Sequence, residues 1–547
     1  MGIQSVFFLS PARRGMPLDD GWIHATYARN LALHGQLCLN PGEPSTGTTS
    51  FLWTGLLAAA YLAFHAPVLA AILIGIGLQA GLVVCVFQLV RDARQPDGVA
   101  LAAAASCALL GPLVWLSLSG MENTLFLALG LTAVLCRGRG RLLTAGILAG
   151  LLVLTRPEGL ALAAVLAAFE VPRLARERGR AFALGTPNSA IRAWLRLFLP
   201  VAACAALYFA INLAITGHLL TSTYSGRRWL YQQPAKLDLG LLAIGSRLAE
   251  LAGSWAEYLY RWVFGTLLLD WLGAPRGEAA GAAIAVLMTL VAVLGLAVLW
   301  RRPRPSETPG CGCPPPFRLL LAWAIAHNLA YGVLLHRHGH AGRYQAVNYV
   351  LLALLVTLGA VRMARARGGL RAIGLGALAL WLALCVGSAA LWRQIYCDCV
   401  AHIDAVHVAC GRWIAANLPP DAVVATFDLG AISYFSERRV VDMGGLVDPE
   451  MARHLFAGDI VPYLRRQKAT HLALPLHYRE DTELATPDDT ELATRLGLLP
   501  WRPGDRPRLV LCAPLWSVPL ARHRLHHLAT SNAMPIMALY RLEWPRR

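Results

Sequence analysis

Arginines punctuate this chain. Apolar segments at 68–90, 99–116, 123–136, 142–155, 159–171, 197–216, 279–300, 319–335, 345–361 and 370–392 alternate with short basic connectors such as "RDAR", "RGRGR", "RLARERGR" and "RMARARGGLR". A soluble domain carries about 25% charged residues, whereas this chain carries 15%, with 56% hydrophobic. About 20 apolar residues cross a bilayer as a helix, and no other open structure satisfies its backbone there. The pattern therefore predicts a polytopic α-helical membrane protein. Several segments are only 13 to 14 residues long, so they are expected to be tilted, broken or extended by their flanks. Segment 51–64 is expected to lie against the membrane. The N-terminal stretch "MGIQSVFFLSPARRGMP" has a five-residue apolar run, too short to span.

The connectors also give an orientation. Connectors 91–98, 137–141, 172–196, 301–318 and 362–371 hold 19 arginines and 4 acids, whereas 117–122, 156–158 and 336–344 hold 3 arginines. Basic connectors stay on the cytoplasmic side. Residues 1–67, 217–278 and 393–547 then fall outside. The net charge of +17 is explained by this bias, and no nucleic-acid partner is expected. Three units follow: 1–67, with the first outer loop; 68–392, the membrane core; and 393–547, an extracytoplasmic domain. The last unit has ordinary polar content, and its strand-like pieces "AVVATF", "RRVVDM" and "HLALPL" predict an α/β fold. "RPRPSETPGCGCPPP" is a non-helical connector. Cysteine pairs Cys311/Cys313 and Cys397/Cys399 lack a matching second pair, so no zinc site is expected. Cys397, Cys399 and Cys410 lie on the oxidising side, as free thiols or with one disulfide among them.

Chemistry-bearing residues cluster in the outer loops. In "LDDGWIHATYARNLALHG" a helix is expected over 20–34, capped by Asp20 and stopped by Gly35. That leaves Asp19 free to accept a proton, unless both acids are turn residues. His24 lies on the same helix. "TRPEG" puts Arg156 and Glu158 at a proline-broken turn, where ionisable groups are costly and tend to be functional; a mutual pair closing the turn is the plainer reading. "SGMENTLF" adds Glu122, as a functional acid or a helix-start acid. "HRHGHAGRYQ" gathers His336, Arg337, His338, His340, Arg343 and Tyr344. It lacks an acid or cysteine companion for a metal, so a cradle for an anionic headgroup is preferred, because arginine grips phosphate through parallel donors. "TSTYSGRRW" contributes Tyr224, Arg227 and Arg228, as ligand contacts or interfacial anchors. No nucleotide-binding motif is present.

Taken in order, "LDDGWIHATYARNLALHGQLCLNPGEPSTGTTSFLW", "SGMENTLF", "TRPEG", "TSTYSGRR", "GHAGRYQ" and "DLGAISYFSERRVVDMGGLVDP" resemble polyprenyl-phosphate-sugar-dependent membrane glycosyltransferases of the GT-C class. The nearest resemblance is to the bacterial branch that includes mycobacterial terminal arabinofuranosyltransferases. It covers residues 18 to about 450. The resemblance implies 10 to 11 membrane helices, juxtamembrane helices in the first outer loop and an outer C-terminal domain. It implies a multi-pass protein of the bacterial cytoplasmic membrane, acting at its outer face. It also implies a polyprenyl-phosphate sugar donor, a cell-envelope glycan, lipid or protein acceptor, and contacts with membrane lipids. Asp19 matches the general base of the family's acid pair, with Asp20 beside it. Arg343 of the R-Y motif would lie near the donor phosphate, and Arg156 and Glu158 would shape the same cavity. His24, Glu122, Tyr224, Arg227, Arg228, His340 and Tyr344 complete the expected substrate-binding set. No cofactor is expected, and the sequence does not support a divalent cation. "RYQAVNY" and "TYSGR" depart from the family's usual continuation of these motifs. A transporter or lipid flippase, or a non-catalytic scaffold, are the alternative readings; the first would show inverted-repeat halves, and the second would not need the acid pair.

Overall fold

The computed structural model describes residues 15–170, 188–231, 237–264, 266–271, 273, 277–300, 315–476, 494, 496–498, 507–518 and 535–545. The N-terminal apolar run, most of connector 172–196 and the proline-rich connector with Cys311 and Cys313 lie outside the described residues.

Six described helices are long and apolar enough to cross a membrane: Pro67–Asp92, Ile191–Thr216, Ala279–Val298, Pro316–Leu334, Val347–Ala364 and the rod Gly369–Asn417. Asp97–Leu109 and Gly111–Leu118 form a bent pair with a 56° break. Pro112 sits in the first turn of the second piece, where its missing N–H cannot continue the helical ladder. Phe51–Phe64, Asn123–Gly138 and Leu142–Thr155 are shorter apolar helices. The polytopic helical fold expected from the apolar pattern is present. Its interior is filled by large rings, with Trp115, Trp323, Trp381 and Trp392 fully buried.

The 49-residue rod is roughly 70 Å long at about 1.5 Å per residue, more than twice the roughly 30 Å of bilayer hydrocarbon. Its far end therefore stands clear of the membrane and enters the C-terminal unit. The rod carries one π turn, Ile403–Val408.

Four helices matter for the site: α1 (Asp19–His34), α2 (Asn123–Gly138), α3 (Thr223–Leu230) and α4 (Gly430–Ser436). Helix α1 ends as expected, with Gly35 at φ 65° and its N–H bonded to Leu31.

Among the described residues the C-terminal unit forms a six-stranded sheet of β1 (Val423–Thr426), β2 (Arg439–Asp442), β3 (His471–Leu476), β4 (Arg508–Leu511), β5 (Trp516–Ser517) and β6 (Ile536–Glu543), ordered β2-β1-β3-β6-β4 with β5 also on β6. The first three strands are the expected pieces. They run parallel, and β6 is antiparallel to β3. Residues alternate between the two faces. Val424, Val440, Ala473, Met537 and Leu539 pack in one core, while Ala425, Val441, Leu472, Leu474 and Ala538 pack in the other. That is the period-two rule of a strand buried on both sides.

The first core also contains Ile23, Tyr27 and Leu39. Helix α1 is therefore a cover for the sheet, and each fully buried aliphatic there contributes about 1.5–3 kcal/mol. This packing fixes the start of α1 against the carboxyl end of β1. Cys397, Cys399 and Cys410 stand as thiols, not a disulfide.

Candidate active site

The acid pair opens α1, and the two carboxylates turn to different partners. Helix α1 begins at Asp19, its N-cap is Leu18, and no side chain caps it. The expected capping role of Asp20 is therefore corrected: the ion pair it makes across the molecule outcompetes a local cap. Asp20 Oδ2 lies 2.5 Å from Arg343 Nη1. Burial works to raise the Asp20 pKa, but the charges of Arg343 and Arg227 outweigh it and hold the carboxyl at about 2.

Asp19 is held by backbone. Its Oδ2 accepts from Gly430 N at 2.6 Å and its Oδ1 from Ala431 N at 2.8 Å. His407 Nδ1, on the π turn, lies 3.3 Å from Oδ1. A Cβ at Gly430 would collide with the Asp19 carbonyl, so only glycine permits this approach.

Arg343 is presented by a strained loop. Gly339, Ala341 and Gly342 all have positive φ, at 68°, 52° and 66°. Such a conformation is unusual for a buried alanine and recurs at functional sites. Arg343 is buried, and its Nε has no hydrogen-bond partner among the described residues. Its guanidinium lies 5.3 Å from the Tyr344 ring; those of Arg227 and Arg156 lie at 5.4 and 5.7 Å. Three cations thus surround one tyrosine. Burial raises the Tyr344 pKa, yet Arg227 and Arg343 bring it below the usual phenol value. His340 Nδ1 is likewise buried and unpartnered among the described residues. Burial, then Arg343, push its pKa down to about 3, so it is neutral at physiological pH.

A second chain of contacts adjoins this group. Arg156 Nη1 donates to Glu122 Oε1 at 2.6 Å, and Nη2 donates to Tyr331 Oη at 2.8 Å and to Glu158 Oε1 at 3.2 Å. His24 Nε2 is 3.1 Å from Glu122, and its Nδ1 is 3.0 Å from Thr48 Oγ1. Arg156 and Glu158 do pair across the turn, but Arg156 also reaches the start of α2 through Glu122. Asn123 Nδ2 donates to the Arg343 carbonyl, and Tyr331 stacks on Tyr344 at 5.5 Å. The two groups are one connected cluster.

Of the expected residues, Asp19, Asp20, His24, Glu122, Arg156, Glu158, Arg227, His340, Arg343 and Tyr344 are brought together. Tyr224 and Arg228 pair with each other instead, 3.3 Å between Nη1 and Oη. The histidines of "HRHGH" diverge: His336 contacts Glu250, and His338 packs on Trp255 and Tyr258.

Two residues went unassigned in the sequence. His407 sits in the rod, where an apolar period hides it. Asp428 stands two residues past the end of β1, at a strand carboxyl end where α/β sheets bind ligands, and that position is a usable signal. His407 Nε2 is 4.0 Å from Asp428 Oδ2. Burial raises the Asp428 pKa, His407 lowers it, and Asp19 and Asp20 raise it again, to about 6.

Fold and site together define a polytopic membrane protein with a GT-C-like fold and a charged cluster where the first loop meets the C-terminal sheet. Among solved structures, ArnT from Cupriavidus metallidurans bound to undecaprenyl phosphate is 13% identical, with 96% of this chain and 94% of that chain covered and a TM-score of 0.50. Its apo form is 11% identical, covering 86% of this chain and 90% of that chain, at a TM-score of 0.49. A family model described as a domain of unknown function (DUF8728) matches residues 398–511. No curated protein matches the chain.

Proposed function

We propose that this protein is a glycosyltransferase that moves a sugar from a polyprenyl-phosphate donor to an acceptor hydroxyl, at the extracytoplasmic face of the cytoplasmic membrane. The observation that carries the reading is the set of guanidiniums around Tyr344, facing carboxylates at the start of α1. Charge develops on a phosphate as it leaves a sugar's anomeric carbon. Arg343, whose buried Nε has no hydrogen-bond partner among the described residues, and Arg227, whose guanidinium faces the Tyr344 ring, are suited to stabilise that charge. The acceptor hydroxyl needs a base, and carboxylates stand beside the cations. The solved ArnT structure holds undecaprenyl phosphate, which supports the lipid-phosphate part of the reading. The outer face rests on the arginine asymmetry of the connectors. A pentose donor of the arabinofuranosyl kind rests on the sequence resemblance alone, as does a cell-envelope glycan, lipid or protein acceptor.

The experiment is sugar transfer by the purified chain in liposomes, from undecaprenyl phosphate carrying radiolabelled arabinofuranose or mannose to the matching n-octyl glycoside. Arg343→Ala should raise the donor KM and lower kcat, because a grip that tightens as phosphate departs acts on both. Arg343→Lys keeps charge but loses the fork and should fall between. Unchanged donor kinetics in Arg343→Ala would sink the reading.

A further inference from the structure

We propose that Asp428 is the carboxylate that takes the acceptor's proton, and that Asp19 is a positioning residue that holds the Asp428–Ala431 turn in place. This rests on the transferase reading above. The argument is one of vacant lone pairs. A carboxylate offers about four acceptor positions. Two of those on Asp19 are filled by Gly430 N and Ala431 N, and a third faces His407. Asp20 is bound to Arg343 at 2.5 Å. No hydrogen bond reaches the Asp428 carboxylate among the described residues; its nearest charged partner is His407 at 4.0 Å. Its side chain is 28% exposed, so a hydroxyl can approach it.

The surroundings also set its basicity. The groups facing Asp428 are Asp19 and Asp20 from α1 and His407 from the π turn. Burial, helped by the two like charges and only partly offset by His407, keeps it a stronger base than an ordinary carboxylate. Asp20, by contrast, is a weak base while Arg343 holds it. A base is most effective with a pKa near the working pH.

The step balances as follows. The acceptor O–H proton passes to an Asp428 oxygen as the acceptor oxygen forms its bond to the anomeric carbon. The anomeric C–O bond to phosphate breaks, and its electron pair leaves on polyprenyl phosphate, facing Arg343 and Arg227. Asp428 then releases the proton to water through its exposed edge. Asp19, meanwhile, fixes where Asp428 stands, because its carboxylate ties the backbone two and three residues further on.

The test uses the same liposome assay with Asp428→Asn, Asp428→Glu and Asp19→Asn, together with thermal unfolding and undecaprenyl phosphate binding. Asp428→Asn should lose at least ~100-fold in kcat, the scale of general-base catalysis, with undecaprenyl phosphate affinity within about twofold of wild type. It should be no less heat-stable than wild type, since it removes a charge that burial and the carboxylates of Asp19 and Asp20 disfavour more than His407 favours. Asp428→Glu should recover part of the rate. Wild-type kcat/KM should fall as pH drops through the raised Asp428 pKa, and Asp19→Asn should retain an acid limb, moved to lower pH because one of the like charges that raise Asp428 is gone, while lowering Tm and rate. The opposite pattern, with Asp428→Asn active and its acid limb unchanged while Asp19→Asn is dead, would overturn the proposal and return the base to Asp19. In that case Arg343→Ala would still show the donor defect, so the transferase reading would survive. Failure of wild type to turn over either donor would remove both.

Discussion

The Asp20 carboxylate lies 2.5 Å from the Arg343 guanidinium, in the position that an anionic headgroup would take on the same arginine. Donor phosphate must therefore share Arg343 with Asp20 or displace it. Replacing Asp20 with Asn removes the competing anion. Affinity for undecaprenyl phosphate should rise about tenfold, the scale of one lost charge-assisted contact. Thermal stability should fall, because a buried arginine loses its counter-ion. Calorimetric titration of both proteins checks this, and weaker binding in the variant would show that Asp20 assists the phosphate site instead of filling it.

The same pair sets an acid limit on stability. The Asp20 pKa is lowered from 3.8 to about 2 in the folded protein. A depressed carboxylate contributes stability that is fully present above its unfolded pKa and lost as pH falls through the folded one. The window therefore runs from about pH 4 down to about 2. Unfolding followed by tryptophan fluorescence should show a loss across this window in wild type that is smaller in Asp20→Asn. Equal acid sensitivity in the two proteins would assign the loss to other carboxylates.

Much of this architecture is local and was readable. Apolar runs and arginine connectors mark the membrane core because hydropathy needs no knowledge of partners. "AVVATF", "RRVVDM" and "HLALPL" became β1, β2 and β3 because β-branched and apolar residues alternate between two buried faces. Side-chain roles were less legible. Asp20 had every local mark of an N-cap, yet a buried arginine far along the chain took its carboxylate. His407 lies in a π turn inside a long helix, and a periodicity of 3.6 cannot reveal a register slip. Arg156 looked like half of a two-residue pair, and its contact with Glu122 required the fold to bring two turns together. Contacts between distant segments are what a sequence pattern does not encode.

Glu122 should be a stability residue as much as a site residue. It is fully buried and faces Arg156 at 2.6 Å and His24 at 3.1 Å. Burial favours its neutral form, but Arg156 and His24 keep its pKa below the normal carboxylate range. Glu122→Gln keeps the shape and removes the charge, leaving Arg156 with Glu158 as its carboxylate partner among the described residues. Breaking one side of a buried pair costs about 3 kcal/mol. The melting temperature of Glu122→Gln should drop by several degrees, and Glu158→Gln, at the more exposed end, should drop less. The reverse order would make Glu158 the principal counter-ion of Arg156.

The side of the membrane on which the cluster acts follows from a single position on the C-terminal unit. Glu437 is exposed, at the left-handed end of α4 with φ 52°, and it is joined through Gly430 and Ala431 to the Asp19 carboxylate. Whatever side carries Glu437 also carries the acid pair. Several cysteines nearby are buried, including Cys397, Cys399 and Cys410, so the reactivity gained by Glu437→Cys over wild type reports that position. Placing the nineteen arginines of the basic connectors in the cytoplasm puts Glu437 outside. A membrane-impermeant maleimide added to intact cells should label Glu437→Cys more strongly than wild type, whose half-buried Cys512 sets the background. Labelling only after permeabilisation would invert the topology. The donor would then have to be a lipid-linked sugar of the inner leaflet, and the outer-face assignment would fall.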